Sequence, residues 1–378
     1  YWKCGGCQLQ HMTYDAQLAM KQSQVTNLFH RKAQFSNTII NKTIGMDHPW
    51  HYRNKSQLPI GKDREGKAIM GYYRQRSHDI IDMDSCLIQD DIHQDIMNHV
   101  KQYIIDYDIS VYNESTKKGL LRHLVIRTGY YSDDMMVVFV TNGKKFQQAS
   151  ILVEKLKETF PNITSIKQNI NNSHSNVIMG EQSVTLYGKD KIADQLSDTT
   201  FKISDQSFYQ INSSQTEKLY QKAIEYAQLT GEETVLDTYC GIGTIGLYMA
   251  PVAKHVYGVE IVPSAIKDAQ QNATLNGFEN TTFVCGKAEE VIIKWKQQGI
   301  KPDVVMVDPP RKGCDETFLQ TLLKLNPKRI VYISCNPSTQ QRDAQILDSQ
   351  YELQEITPVD MFPQTTHVET VALFERKS

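Results

Sequence analysis

Two hydrophobic patterns divide the chain. Through the first 200 residues, runs such as HLVIRTGYYSDDMMVVFVT alternate apolar with polar positions, carry β-branched and aromatic residues, and end at Gly, Asn or Asp. Such runs predict strands, with short helices between them, but they do not fix a topology. A long helix is expected over 14–33. The polar, turn-rich segment NINNSHSNVIMG (169–180) reads as a loop inside this half. No internal repeat is visible.

From about Phe201 the pattern changes. INSSQTEKLYQKAIEYAQLTG places Ser214 and Glu217 at capping-box spacing, then apolar residues at helical intervals, then a terminal Gly. Short apolar runs then alternate with helical stretches: TVLD (234–237), HVYGVE (255–260), TTFVC (281–285), DVVMVD (303–308) and RIVYIS (329–334), followed by YELQEITPVD and TVALFER. Five strand-helix units imply an α/β fold with a doubly wound parallel sheet. The last two runs leave no room for a crossover helix between them, so one is expected to be antiparallel. Two domains follow, 1–200 and 201–378, with packing of the 14–33 helix on the second left open. The length, 378 residues, agrees with two cores rather than one.

Composition narrows the class. An apolar share of 40% is that of a globular protein, no run is long enough to cross a bilayer, and the first residues lack the pattern of a signal peptide. A cytoplasmic protein is expected, without a membrane and with no obligate protein partner. Tyr1 is not an initiator, so the numbering is expected to start inside a longer chain. Seven cysteines in such a chain are read singly, as core residue, ligand or nucleophile, rather than as a disulfide framework.

The net charge of −2 does not advertise nucleic-acid binding, but it hides an asymmetry. His51–Asp82 holds seven Lys/Arg against four Asp/Glu, and 117–129 holds four basic residues and no acid. Interleaved with Tyr52, Tyr72, Tyr73 and His123, these residues suit phosphate contacts and base stacking. A solvated face of ordinary strands would look the same.

In doubly wound sheets ligands bind at the carboxyl ends of the parallel strands. Asp237, Glu260, Asp308 and Cys335 each close one of them, and Glu369 opens the final strand, on the same edge if that strand is antiparallel. VLDTYCGIGTIGLYMA is a strand, a turn with Gly241, Gly243 and Gly246, and a helix. The glycines allow close approach of backbone to a cofactor, and Glu260 suits a ribose diol. A nicotinamide cofactor would ask for the same two features. Asp308 in DPPRKG tilts the balance toward S-adenosylmethionine, because two prolines make a rigid turn that projects an acid over the cofactor. A thiol on that edge is a nucleophile once ionised. Carbon 5 of uracil needs such help, since it takes a methyl group only after a thiolate has added at carbon 6, and a base such as Glu369 must then remove the carbon 5 proton.

FYQIN, DTYCGIGTIG, DPPRKG, SCNPST and HVETV, in this order, resemble the RNA uracil-5-methyltransferase family across the whole second half. The resemblance implies a class I S-adenosylmethionine-dependent methyltransferase with a seven-stranded sheet, behind an α+β domain for RNA and a metal cluster. It implies Cys335 as nucleophile and Glu369 as proton acceptor. It further implies Gln210, Tyr239, Gly241, Thr244, Glu260 and Asp308 as cofactor contacts and Phe208 as a stacking partner for the flipped base. Arg311 is a candidate to neutralise a phosphate, to assist the thiolate or simply to pair with an acid, and His367 to tune Glu369 or to make a structural hydrogen bond. Cys240, Cys285 and Cys314 read as packing residues.

CGGCQLQH resembles the cluster segment of the ribosomal-RNA members, whose four cysteines hold a [4Fe-4S] cluster. Cys4, Cys7 and Cys86 account for three ligands, and the fourth is expected upstream of Tyr1. Zinc remains open for a C-x-x-C. The expected activity is therefore formation of 5-methyluridine in 23S ribosomal RNA. A transfer-RNA substrate, or a non-catalytic RNA-binding role, are the alternatives.

Overall fold

The computed structural model describes residues 3–377. The chain forms two compact units that interleave in sequence. The first takes the residues through Gln8, His48–Gln195 and Lys202–Gln206; the second takes Leu9–Asp47, Leu196–Phe201 and the residues from Ser207 onward.

The second unit is built on the apolar runs of the second half. Their seven strands form one sheet in the order Tyr351–Val359, Glu369–Arg376, Arg329–Ser334, Val304–Val307, Thr234–Thr238, His255–Glu260, Thr281–Cys285. The five strands from Thr234 to Ser334 are mutually parallel. Glu369–Arg376 is antiparallel to both of its neighbours, as the short connection before it requires. The central strand Val304–Val307 is buried throughout, as expected when helices cover both faces of a parallel sheet. An eighth strand, Ile39–Ile40, adds in parallel to Tyr351–Val359 at the sheet's edge.

That addition explains why Leu9–Asp47 belongs with the second unit. The helix Tyr14–His30 buries Gln17, Lys21, Val25 and Phe29, one residue per turn. Lys21 Nζ reaches the Asp360 carboxylate at 2.5 Å, both side chains fully buried, and Gln17 Nε2 donates to Gln364 Oε1 at 2.9 Å. The helix stops at His30, short of the expected Ala33. A 3-10 turn over Ala33–Phe35 follows and sets the Phe35 ring 5.9 Å from Phe29.

The capping box expected at Ser214 and Glu217 does not form. Asn212 caps the helix Ser213–Ala227 by accepting from the Gln215 amide at 3.3 Å, while Glu217 accepts from the Ser197 amide at 2.7 Å. An Asn two residues upstream supplies the same acceptor, so the Ser/Glu spacing is coincidental.

The first unit holds a seven-stranded sheet ordered Ile80–Asp82, Ala68–Tyr73, Lys55–Lys62, Leu121–Thr128, Met135–Thr141, Ile163–Ile170, Gln182–Gly188. Its ladders are antiparallel except Met135–Thr141 with Ile163–Ile170, whose parallel pairing needs the crossover helix Ala149–Thr159. Among the described residues no helix is long and apolar enough to cross a membrane.

Candidate active site

The carboxyl edge of the second unit's sheet gathers the residues singled out above. Thr238 pairs with Val307, so Asp308 lies one residue beyond the ladder. Ser334 pairs with Thr370, so Cys335 and Glu369 flank that last pair from opposite chain directions. Glu260 ends its strand paired with Cys285.

Cys335 occupies a tightly tied turn. The Ser334 hydroxyl donates to the Asn336 carbonyl at 3.0 Å and accepts from the Asn336 amide at 3.1 Å. Asn336 then caps the helix Pro337–Leu347 by accepting from Ser338 N at 3.2 Å. From the far side, Thr370 Oγ1 donates to Gln340 Oε1 at 2.7 Å. Cys335 is thus the residue just before the N-cap of that helix, whose positive end partly offsets the acids of this edge. Asn before Pro at the close of an apolar run is a capping signature.

The electrostatics of the edge are those of crowded acids. Burial, with the Asp308 charge second, pushes the Glu369 carboxyl up to about 8, and burial alone pushes Asp308 to about 7. Asp237, with no exposed surface, is pushed by burial to about 8 although Gly246 N donates to its Oδ2 at 2.8 Å. Burial also raises the half-buried Cys335 thiol; Glu369 and Asp308 add to the rise, and Arg311 opposes it. Groups poised near neutrality in one place are what proton transfer requires.

The Gly-rich turn lies beside them. Tyr239 is held at φ 60, a left-handed conformation rare for an aromatic residue, with its ring 5.4 Å from Phe318. Gly241 donates to the Glu260 carboxylate at 3.3 Å and Val262 N to the same group at 3.0 Å, so backbone amides aim this acid. A Cβ at Gly246 would stand 2.9 Å from Asp237 Oδ2 and 3.1 Å from Val256 Cγ1, so a larger residue there would push these side chains aside where the helix closes on the strand. Thr244 opens that helix and accepts from the Tyr220 hydroxyl at 3.1 Å.

Upstream of the helix Ser213–Ala227 the two flanking candidates have opposite settings. Gln210 is buried, whereas Phe208 is 69% exposed. An exposed phenyl ring between buried Ser207 and Tyr209 has no core to fill and is free for a flat ligand. Arg311 and His367 are exposed, the latter with its ring 6.2 Å from Phe362. Cys240 and Cys314 are buried, as expected. Cys285 is not a packing residue: it is exposed, because it is the last residue of the sheet's outermost strand.

In the first unit, Cys4 and Cys86 pack partly buried against the core and interact electrostatically, and Cys7 lies within reach of the Arg53 charge. The residue expected to supply a fourth ligand lies outside the described chain. Among the described residues no three His, Cys, Asp or Glu side chains stand close enough to hold a metal ion.

The basic stretches are also rearranged by folding. Arg122 is buried, with Nη1 donating to Asn171 O at 2.7 Å and its guanidinium 4.5 Å from the Tyr112 ring centre. Tyr52 and His123 are buried as well, so neither serves as a stacking surface.

Residues 13–377 match the family model described as tRNA (Uracil-5-)-methyltransferase. An uncharacterized RNA methyltransferase of Staphylococcus epidermidis is 77% identical over the whole of this chain and 83% of its own length. A second, from Staphylococcus aureus, is 74% identical with the same coverage. Among solved structures, the Pyrococcus abyssi tRNA (uracil-54, C5)-methyltransferase in complex with S-adenosyl-L-homocysteine superposes with a TM-score of 0.81 at 31% identity, over 98% of this chain and 86% of that one.

Proposed function

The chain belongs to the RNA uracil-5-methyltransferase family, and from that premise we propose that it methylates carbon 5 of specific uridines in 23S ribosomal RNA through a covalent cysteine-uracil intermediate. It is an S-adenosylmethionine-dependent RNA methyltransferase with the class I fold. The uracil step draws its main support from the register Ser334↔Thr370, which sets a thiol and a carboxyl on adjacent strands of one sheet edge.

In the proposed mechanism Phe208 stacks on the extruded base, and the Cys335 thiolate adds to carbon 6, turning carbon 5 into an enolate carbon. S-adenosylmethionine supplies an electrophilic methyl group on a sulfonium. Gln210, Tyr239, Gly241, Thr244, Glu260 and Asp308 hold it. Ionised Glu369 then takes the carbon 5 proton, the electrons of that bond re-form the ring double bond, and Cys335 leaves as thiolate. Arg311 opposes the acids around the sulfur.

The ribosomal address rests on the CGGC segment and Cys86, for which we propose a [4Fe-4S] cluster bracing the RNA-binding unit without redox work. Iron and sulfide analysis of anaerobically purified protein, wild type against Cys86→Ser, tests it. A second reading, a transfer-RNA substrate, is favoured by the name of the Pyrococcus abyssi relative. A cytoplasmic location is part of the proposal.

Labelled S-adenosylmethionine with unmodified ribosomal RNA and transfer RNA, followed by nucleoside analysis, decides between the two substrates. Label in 5-methyluridine from ribosomal RNA alone supports the proposal. Label in transfer RNA alone replaces the substrate, and label in another nucleoside overturns the uracil chemistry.

A further inference from the structure

Asp343 lies on the second turn of the helix Pro337–Leu347, where a carboxylate ordinarily points to water, yet it has no exposed surface. Donors converge on it from three directions. Oδ2 accepts from the Cys314 amide at 2.8 Å and from the Tyr332 hydroxyl at 2.7 Å, and Oδ1 accepts from Arg342 Nε at 2.8 Å. Arg342, its side chain about half exposed, also donates through Nη2 to the carbonyls of Lys312 at 3.0 Å and Cys314 at 3.2 Å.

The same helix reaches the same loop twice more. Asn336 Nδ2 and Thr339 Oγ1 both donate to the Arg311 carbonyl, at 3.2 and 3.4 Å. Gly313 sits at φ +79, and a Cβ there would stand 2.6 Å from Arg342 Nη2 and 2.8 Å from Asp343 Oδ2. The loop 309–314 is therefore packed directly onto the Arg342–Asp343 pair.

A buried carboxylate is tolerated when charge and hydrogen bonds satisfy it. Here those bonds also tie together two parts of the candidate site. The loop follows Asp308 and carries Arg311; the helix starts two residues after Cys335. Of the charged groups facing the thiol, Asp308 and Glu369 disfavour the thiolate and Arg311 favours it.

We propose that Asp343 is a positioning residue, which with Arg342 clamps the 309–314 loop to the nucleophile's helix and so keeps the Arg311 charge directed at Cys335. The proposal rests on Cys335 being the nucleophile of the methyl transfer.

The test uses Asp343→Asn and Arg342→Ala. Alkylation of Cys335 without RNA is followed by mass spectrometry of its peptide across a pH series, beside kcat and KM for methyl transfer, thermal stability and cofactor affinity. Both variants are expected to move the alkylation profile to higher pH and to lower kcat about 10- to 100-fold, with KM for RNA and cofactor affinity nearly unchanged. An unmoved profile in either variant, whether or not stability falls, overturns the clamp and leaves Asp343 a structural group. If Asp343→Asn does not fold, Arg342→Ala decides alone, since that side chain is half in solvent. Wild type that alkylates normally but methylates no uracil defeats the methyl-transfer reading instead, and the profiles still decide the clamp.

Discussion

Cys335 and Glu369 flank the last pair of one antiparallel ladder: Ser334 pairs with Thr370, Cys335 follows the first and Glu369 precedes the second. Two groups that both become anions on losing a proton share one place, with Asp308 nearby raising both. They cannot all ionise independently. In the proposed reaction the conflict is resolved in time, because the sulfur is bonded to carbon 6 when Glu369 must be charged.

That ordering predicts a pH dependence. The Glu369 carboxyl is raised to about 8, so at neutral pH most of it is protonated and unable to accept the carbon 5 proton. Methyl transfer by saturated enzyme should therefore climb with pH through about 8 as the base ionises, and go on climbing beyond it, because the Cys335 thiol is itself raised above its ordinary value. Initial rates across a pH series, with RNA integrity checked at each point, measure it. A rate already flat from the acid side would remove Glu369 from the role.

Two substitutions separate the chemical steps. Cys335→Ala should eliminate turnover while cofactor affinity by calorimetry stays that of the wild type. Glu369→Gln should form the covalent RNA adduct and methylate it but stall before release, with turnover reduced about 10²- to 10⁴-fold, the usual contribution of a general base. Denaturing gels of enzyme with labelled RNA read the trapped species. Free turnover by either variant contradicts the scheme.

The edge residues were legible in sequence because each ends a short apolar run, and a parallel sheet carries all such ends to one side. Asp237, Asp308 and Cys335 needed nothing more. The membership of Leu9–Asp47 was not legible, because half of the buried stripe on the helix Tyr14–His30 is polar. Gln17 and Lys21 look like solvent positions until Gln364 and Asp360 arrive from more than three hundred residues away. Ile39–Ile40 is too short to announce a strand. Asp343 was missed for the same reason as Lys21: a charged helix residue reads as surface unless its partner is known. Arg122 is the opposite case: in the basic stretch 117–129, which suited either RNA or a solvated face, it is a cation that the first unit uses internally.

Phe208 offers the cleanest test of base recognition. Its ring is 69% exposed, so Phe208→Ala removes little packing and should leave thermal stability almost unchanged. If the ring stacks on the extruded uracil, the loss should be about 1–3 kcal/mol in kcat/KM for RNA, with Phe208→Tyr or Trp retaining most activity and Phe208→Leu little. Equal activity of the alanine and wild-type enzymes would take Phe208 out of the site.

Asp237 predicts how stability depends on pH. Its folded value, about 8, lies far above the ordinary 3.8, so the native state holds the proton more tightly than the unfolded chain does. The stability this contributes is complete below about pH 4 and is lost as pH rises through 8. Asp237→Asn, of the same shape and without a charge to bury, should therefore show a shallower fall in melting temperature between those limits than wild type. Parallel melting curves for the two proteins would mean that the carboxyl ionises in the fold as freely as in water.

Lys55 predicts a link between stability and RNA binding. It lies directly across the ladder from Arg127, and burial first, then the charges of Arg127 and Arg53, lower its ammonium to about 7. Like charges facing each other destabilise a strand pair, and the unfolded chain binds this proton more tightly, so protonated Lys55 opposes folding most at and below pH 7. Lys55→Gln should therefore raise the melting temperature at neutral pH. Such a cation is explained if a phosphate meets it in the complex. The same variant should then bind RNA more weakly and lower the salt dependence of binding by about 0.7 to 0.9 in slope, one phosphate contact. Filter binding over a salt series reads the slope. A more stable variant with unaltered affinity and slope would show that the cluster faces no phosphate.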